Sequence, residues 1–335
     1  MARRVSRRAA AGGGLIALGV LLLLALAAVW TFEGPGPKAR SGAVTTVILA
    51  KGSGVRQIAG SLKDAGVISS SGLFSVAARV TGAAAHLKAG EYEIASGASM
   101  ASILGDLRAG KVVRHLISIP EGWTSGMTLD AVNASDVLTG SATEPAEGAI
   151  LPDSYEVQRG EDRAEVIGKM EAAQTKLLAQ LWAGRDPGLP IATPQEAVTL
   201  ASIVEKETGV ASERPHVAGV FVNRLRAGMA LQSDPTIIYG ISKGRPLGRG
   251  IRQSELDALS PYNSYKVVGL PPTPIANPGR AALMAVLHPM KTDDLYFVAD
   301  GTGGHAFAST IEAHQANVAK WRALEKQRAA AGGSK

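Results

Sequence analysis

The sequence predicts an α+β fold with an N-terminal transmembrane helix, a small α+β module and a larger α+β domain. Three observations predict it: an apolar run near the start of the chain, short β-like runs followed by glycine-containing turns and amphipathic helices, and longer helical patterns after residue 118. The expected parts are a basic cytoplasmic tail (1–11), a transmembrane helix (12–32), a linker (33–43), a small module (44–117), a larger domain (118–327) and a disordered tail (328–335).

The formal net charge of +6 on this 335-residue chain is concentrated at its N-terminus. Six basic side chains and one acidic side chain in residues 1–40 account for +5 of it. The remaining charges are mixed in sign, which argues against a nucleic acid as partner. The chain has no cysteine, so disulfides, thiolate metal ligands and a cysteine nucleophile are excluded.

The apolar run Leu15–Phe32 contains no charged residue and is near the length that crosses a bilayer as a helix. Four arginines precede it, and the positive-inside rule places them in the cytoplasm. We therefore expect a single-pass protein of the cytoplasmic (inner) membrane, in contact with its lipid, with the rest of the chain extracytoplasmic or periplasmic. A cleaved signal peptide is the alternative, with Ala25, Ala27 and Ala28 as small residues for cleavage, but the run is long for one.

The small module repeats a pattern in which a β-like run, a glycine-containing turn and an amphipathic helix follow one another. The spacing is irregular, which argues against a solenoid. The pairs are Val44–Leu49 with Val55–Ala65, Glu91–Ile94 with Met100–Ala109, and His115–Ile119 with a weaker helical stretch from Met127.

The larger domain has its clearest helix at Thr193–Thr208. Thr193 as N-cap, Pro194 in the first turn and Glu196 three residues after the cap form a capping box. A hairpin turn is expected at Gly301–Gly304. The other expected elements are helices at Ala164–Ala183 and Ile311–Arg328, an apolar run at Leu283–Leu287 and a strand at Leu295–Ala299.

Two glutamates border the apolar face of this clearest helix. At 100° per residue, Glu205 and Glu207 lie on opposite edges of the face, about 160° apart. A carboxyl at such an edge is partly desolvated, so its pKa rises, as a general acid requires. Glutamates at such an edge are more often solvated or paired with a neighbour than catalytic. The periodicity does not choose between Glu205 and Glu207 as the catalytic residue.

Eight sequence blocks, in order along the chain, resemble the MltG (YceG-like) family of endolytic murein transglycosylases. They are Leu200–Thr208, Ala211–Arg214, Phe221–Leu225, Leu231–Gly240, Tyr262–Tyr265, Gly269–Gly279, His288–Pro289 and Leu295–Phe307. The resemblance implies that Glu205 is the catalytic residue and that no cofactor is needed. It also implies that the chain cuts the MurNAc-GlcNAc bond of nascent peptidoglycan strands, forms 1,6-anhydro-MurNAc and terminates glycan polymerisation beside glycan polymerases or penicillin-binding proteins.

The same resemblance makes residues 44–117 a LysM-like subdomain, for which glycan binding and a packing role both stay open. It also suggests a set of substrate-binding residues, with Gln232 and Ser233 on the sugar and Asp234 orienting its neighbours. A structural turn or loop is the alternative for these positions. No metal is expected, since His288 and His305 lack a third ligand at metal spacing. The full set is Gln232, Ser233, Asp234, Thr236, Tyr239, Tyr262, Asn263, Tyr265 and Asn277.

One carboxyl is chemically sufficient for a lytic transglycosylase, because the C6 hydroxyl of the muramic acid attacks C1 within the same molecule. A hydrolase needs a second carboxyl to activate water. The two alternatives are therefore a water-using muramidase, with Glu207, Glu213 or Asp234 as second carboxylate, and a non-catalytic, membrane-tethered peptidoglycan-binding scaffold.

Overall fold

The computed structural model describes residues 2–332, and the side chains of residue 16 and residues 18–330. The chain divides into two compact units. The N-terminal unit comprises the chain up to His115 together with Glu156–Glu161, and the C-terminal unit comprises Leu116–Tyr155 and the chain from Asp162 onward. Helices and two-stranded sheets make up the described residues, which confirms the α+β class.

The N-terminal unit packs three short helices against one antiparallel strand pair. In β1 and β2, Val44 pairs with Ala95 and Leu49 with Gly90. Val47 and Leu49 are buried while Ile48 is exposed, the alternation of a sheet with one covered face. The elements are α1 (Ala2–Glu33), β1 (Val44–Leu49), α2 (Val55–Asp64), α3 (Ser71–Val80), a 3₁₀ turn (Ala83–Ala85), β2 (Gly90–Ala95) and α4 (Met100–Ala109).

Helix α1 is continuous from Ala2 to Glu33. The predicted basic tail (1–11) and the start of the predicted transmembrane helix (12–32) have side chains outside the described residues, as does Ala17. Within the portion of the chain that the structure describes, no helix is both long enough and apolar enough to cross a membrane.

The C-terminal unit is mainly helical and contains a hairpin. The strands β5 and β6 pair antiparallel, Tyr296 with Ala308 and Ala299 with His305, so the predicted turn at Gly301–Gly304 is confirmed. The first residue of β3 and the last two residues of β4 belong to the N-terminal unit. The elements from β3 onward are β3 (His115–Ser118), α5 (Ser125–Ala134), β4 (Ser154–Val157), α6 (Arg163–Ala183), α7 (Pro194–Glu207), α8 (Arg214–Arg226), α9 (Asp234–Ser242), α10 (Gln253–Asp257), α11 (Arg280–Leu287), β5 (Tyr296–Ala299), β6 (His305–Ala308) and α12 (Ile311–Gly332).

Helix α7 is the centre of this unit. Its predicted capping box is present: Thr193 accepts from the N–H of Glu196, and Glu196 accepts from the N–H of Thr193. Every residue from Ala197 to Val204 is buried, and α8 and α11 pack against the helix. Small residues such as Ala201 and Ala282 allow this close approach. The rigid packing fixes the end of α7, where both candidate glutamates lie.

Two details differ from the sequence-based expectation. The Asp-Pro-Thr segment considered as a turn is the first turn of α9, since Asp234 and Pro235 suit the start of a helix as well as a turn. The predicted disordered tail (328–335) begins inside α12, so residues 328–332 are helical and 333–335 lie outside the described residues.

Candidate active site

Glu205 lies in the last turn of α7, and its side chain is only 5 % exposed. Its Oε2 accepts a hydrogen bond of 2.9 Å from the backbone N–H of Gly279, the N-cap residue of α11. Its Oε1 accepts one of 3.3 Å from Nη2 of Arg214, the first residue of α8. The ends of three helices therefore meet at this carboxyl.

The pKa of Glu205 is raised above its ordinary value, and burial is the main cause. The N–H of Gly279 and the guanidinium of Arg214 lower the pKa, and the nearby Glu121 raises it. The increase in the pKa caused by desolvation is larger than the decrease caused by the two donors. Glu205 therefore keeps its proton to a higher pH than an exposed glutamate, as a general acid must.

A second carboxyl, that of Glu121, lies beside Glu205. Its Oε2 is 3.6 Å from the same Arg214 Nη2, and its side chain is 44 % exposed. A Cβ added at Gly279 would lie 1.8 Å from Oε1 of Glu121, so the carboxyl packs directly on the glycine. Gly122, in the left-handed region at φ 76°, brings the same loop against Cγ of Glu205.

Asn277 holds the loop that carries Glu121 and Gly122 in place by hydrogen bonds. It is fully buried, and its backbone N–H and Nδ2 both donate to the carbonyl of Trp123, at 2.8 and 3.0 Å. Its backbone carbonyl accepts from the N–H of Gly122, and its Oδ1 accepts from the N–H of Ile150 at 3.0 Å. The side chain predicted to bind substrate is thus engaged inside the protein.

Glu147 and Tyr239 form a buried, hydrogen-bonded pair next to Ser125. Oε1 of Glu147 accepts from the N–H of Ser125 at 2.8 Å, and its carboxylate is hydrogen-bonded to Tyr239. Burial raises the pKa of both groups. Tyr239 also packs against Tyr262, whose hydroxyl lies 2.9 Å from Oγ1 of Thr273.

Glu207 occupies a different environment from Glu205, as the helix periodicity predicts. It accepts a short hydrogen bond from the hydroxyl of Ser233, the N-cap residue of α9. Burial raises the pKa of Glu207 to about 7. The buried Arg224 donates to the carbonyls of Ala230 and Leu231, so the segment that precedes α9 is fixed from two sides.

This fixed segment presents the predicted residue Gln232. It is exposed, and its backbone adopts the left-handed conformation at φ 52°. Its N–H donates to the carbonyl of Ser264 at 2.9 Å. The exposed Asp234 accepts from the hydroxyl of Tyr265 at 2.7 Å.

The predicted substrate-binding residues fall into an exposed and a buried set. Gln232, Asp234 and Tyr265 are exposed and Tyr262 is partly buried. Ser233, Thr236, Tyr239, Asn263 and Asn277 are buried. The structure gathers the residues of the Leu231–Gly240 and Tyr262–Tyr265 blocks around Ser264, while Asn277 is the member that lies by Glu205.

Three residues at Glu205 were not assigned a role from the sequence: Glu121, Arg214 and Gly279. Arg214 and Gly279 close two of the family-like blocks, and Glu121 sits in a Pro-Glu-Gly turn. Local pattern could mark these residues as a turn or a helix start, but not as neighbours, since Gly279 is 74 positions from Glu205.

Three histidines of this unit, His216, His288 and His305, form pairs with carboxylates. His305 pairs with Glu213 at 2.7 Å, and His288 with Asp186 at 2.8 Å. Over the residues that the structure describes, no group of three or more His, Asp or Glu side chains is arranged to hold a metal ion.

Comparison with known proteins decides the family. Residues 47–320 match the model of the YceG-like family. The chain belongs to the YceG-like family. This YceG-like chain is similar to the endolytic murein transglycosylase of Streptococcus pneumoniae serotype 2 (strain D39). The two are 31 % identical over 332 residues, and the match covers 84 % of this chain and 59 % of the relative. The resemblance read from the sequence blocks is confirmed.

Two further matches agree. The endolytic murein transglycosylase of Bacillus subtilis (strain 168) is 34 % identical over 180 residues, 54 % of this chain and 49 % of the relative. The crystal structure of a YceG-like protein from Listeria monocytogenes is 29 % identical, with a TM-score of 0.51, and the match covers 82 % of this chain and 99 % of that one. This chain thus spans only about half to three-fifths of the length of the curated relatives that it matches.

Proposed function

We propose that this chain is an endolytic lytic transglycosylase. It cleaves the MurNAc-GlcNAc bond of nascent peptidoglycan strands and leaves a 1,6-anhydro-MurNAc end. The observation that carries the proposal is the carboxyl of Glu205, nearly enclosed and with a pKa raised by burial, at the junction of three helix ends. Membership of the YceG-like family and the names of the relatives support it.

The proposed reaction uses Glu205 twice. As an acid it gives its proton to the glycosidic oxygen, and the bond from that oxygen to C1 of MurNAc breaks. The C6 hydroxyl of the same MurNAc then bonds to C1, and its proton passes to the Glu205 carboxylate. Glu205 ends in its starting protonation state and no water is consumed, so a second carboxyl as base for water is not required.

The partners of Glu205 suit the intermediate state. Once Glu205 has lost its proton, the N–H of Gly279 and the guanidinium of Arg214 both donate to its carboxylate. These hydrogen bonds to a charged group stabilise it and hold it in one orientation. The carboxylate therefore stays aimed at the position where it must collect the next proton.

The candidate substrate-binding residues divide between two proposed roles. The exposed Gln232, Asp234 and Tyr265 and the partly buried Tyr262 contact sugar. The buried Ser233, Thr236, Tyr239, Asn263 and Asn277 hold the segments that carry these contacts, since their side chains have little surface to offer a ligand.

We further propose that residues 12–32 anchor the chain in the cytoplasmic membrane, with the N-terminus in the cytoplasm and the chain from residue 33 onward outside. The uncharged run at Leu15–Phe32, the preceding arginines and the exposed apolar side chains along α1, such as Leu21, Leu23 and Trp30, support this. Residues 44–117 form a LysM-like module that binds glycan or positions the enzyme. Glycan polymerases or penicillin-binding proteins are the proposed partners at this membrane surface.

The test is cleavage of uncross-linked glycan strands by the full chain and by Glu205→Gln, with products identified by mass spectrometry. Fragments with anhydro-muramic ends from the wild type, and a loss of at least about 1,000-fold in Glu205→Gln, are expected. Glu171→Gln, on helix α6, is the matched control. Reducing ends would indicate a muramidase, and binding without any cleavage would indicate a scaffold; either result overturns the proposal.

A further inference from the structure

We propose that Glu121 is a positioning residue for the reaction of Glu205, with which it shares the guanidinium of Arg214. This inference rests on the proposed function and extends it to a second carboxylate, which assists the acid without acting on water.

The geometry places both carboxyls on one donor atom. Nη2 of Arg214 is 3.3 Å from Oε1 of Glu205 and 3.6 Å from Oε2 of Glu121. The distance between Oε1 of Glu205 and Oε2 of Glu121 is therefore at most the sum of these two distances. The arrangement is asymmetric, because the side chain of Glu205 is 5 % exposed, that of Arg214 14 % and that of Glu121 44 %.

Charge balance explains what a second carboxylate adds. Alone with Glu205, the cation of Arg214 would favour the ionised form of the acid. The negative charge of Glu121 offsets that cation and opposes a second negative charge beside it, so Glu205 retains its proton more readily, in agreement with the direction in which Glu121 moves the pKa of Glu205.

The charged and polar groups that act on Glu205 come from three segments. They are Glu121 from the loop before α5, Arg214 from the start of α8, and the backbone N–H of Gly279 at the start of α11. Lys206 directs its ammonium group to the carbonyl of Gly122 at 3.3 Å. Among these groups, Glu121 is the one that carries a negative charge.

Glu121 is fixed by its surroundings despite its exposure. Its carboxyl packs on Gly279, where a Cβ would overlap it. The next residue, Gly122, is tied to the carbonyl of Asn277 by its N–H and to Lys206 by its carbonyl. A mobile surface glutamate would have none of these constraints, so the loop is built to hold this carboxyl at Arg214.

The first test is the pH profile of glycan cleavage by the full chain, with Glu121→Gln and Glu121→Asp. We expect Glu121→Gln to lower kcat about tenfold at neutral pH, to change KM less than twofold, and to move the alkaline limb to lower pH. Glu121→Asp should restore part of the loss, and the products should keep anhydro ends. The proposal would be overturned if the alkaline limb of Glu121→Gln stayed at the wild-type pH. It would also be overturned if the wild type formed reducing ends and Glu121→Gln did not.

The second test does not depend on activity. In the full chain with ¹³C-labelled glutamate carboxyls, the Glu205 resonance is assigned by its loss in Glu205→Gln and then titrated. The pKa of Glu205 should be lower in Glu121→Gln than in the wild type and unchanged in the control Glu171→Gln. Equal values would refute the role of Glu121 even in an active enzyme. A lowered value in a chain that does not cleave glycan would refute the proposed function and leave the Glu121–Glu205 coupling intact.

Discussion

The backbone N–H of Gly279 donates to Oε2 of Glu205 over 2.9 Å, and the same glycine forms the surface on which the Glu121 carboxyl packs. One residue at the start of α11 thus fixes both carboxyls of the candidate site. A glycine is required there for lack of a side chain, since its φ of −75° is open to any residue.

We therefore predict that Gly279→Ala disturbs the site. The added Cβ would lie 1.8 Å from Oε1 and 2.6 Å from Cγ of Glu121, so the Glu121 side chain must leave its position beside Arg214. Urea unfolding should change by less than about 1 kcal/mol because a half-exposed side chain can move aside, and glycan cleavage should fall about tenfold because Glu121 no longer lies at Arg214.

The matched control is Gly168→Ala in the exposed part of α6, where an added Cβ has open space. It should be neutral or stabilise by up to about 1 kcal/mol. Wild-type cleavage by Gly279→Ala would show that the position of Glu121 does not matter for the reaction.

The pH dependence of cleavage should follow the protonation of Glu205. Burial raises its pKa, so the acid form persists above the pH at which an exposed glutamate ionises, and activity falls as pH rises through the raised pKa. Arg214 lowers that pKa. Arg214→Gln should therefore move the alkaline limb to higher pH, the opposite direction to Glu121→Gln. Limbs that move together in the two variants, measured as kcat/KM against pH, would contradict this electrostatic account.

Asn277 should matter for stability. Its Oδ1 accepts from the N–H of Ile150, and its Nδ2 donates to the carbonyl of Trp123, all in the interior. Asn277→Ala leaves the N–H of Ile150 unsatisfied and removes one of the two donors to the Trp123 carbonyl. It should therefore cost about 1 to 3 kcal/mol in thermal or urea unfolding. Asn263→Ala, which removes donors to the carbonyls of Leu256 and Ala258 at the end of α10, serves for comparison: it should destabilise while affecting cleavage less. Unaltered stability of Asn277→Ala would argue for direct sugar binding by Asn277.

Glu207 should make stability depend on pH. Its pKa in the folded chain is about 7, above the ordinary value of 4.5. Because folding favours its protonated form, this contribution is complete below pH 4.5, is lost as the pH rises to about 7, and stays lost above that.

Glu207→Gln is neutral at every pH and can still accept from Ser233. Above pH 7 it should be more stable than the wild type by about 1 to 3 kcal/mol, with a smaller difference at pH 4. The exposed Glu325→Gln on α12 should show no such pH-dependent difference. A variant that is less stable at pH 8 would mean that Glu207 is bound as a carboxylate.

The sequence anticipated the elements that local pattern encodes. The cap at Thr193 and the apolar face of α7 predicted that helix within a residue, and the Gly-rich segment after Ala299 predicted the hairpin turn. Helix α9 was missed as a helix because Asp234 and Pro235 occur at turns and at helix starts alike.

The site was predictable only in part, because its geometry depends on contacts between distant segments. Periodicity placed Glu205 at the edge of an apolar face, but nothing local indicates that Glu121 and Gly279 meet it from 84 positions before and 74 positions after it. The role of a polar residue in a loop, as a ligand of the substrate or as a structural group, is equally hard to predict from local sequence. Ser233 and Asn277 look like sugar ligands in the sequence, and only packing reveals that their hydrogen bonds are internal.

The central claim is that Glu205 drives an intramolecular attack by the C6 hydroxyl. The most direct measurement is digestion of glycan strands by the full chain in H₂¹⁸O, followed by mass spectrometry of the new ends. An intramolecular attack gives anhydro-muramic ends without ¹⁸O, and we expect no such ends with Glu205→Gln. Reducing ends that carry ¹⁸O, or anhydro ends formed equally well by Glu205→Gln, would contradict it.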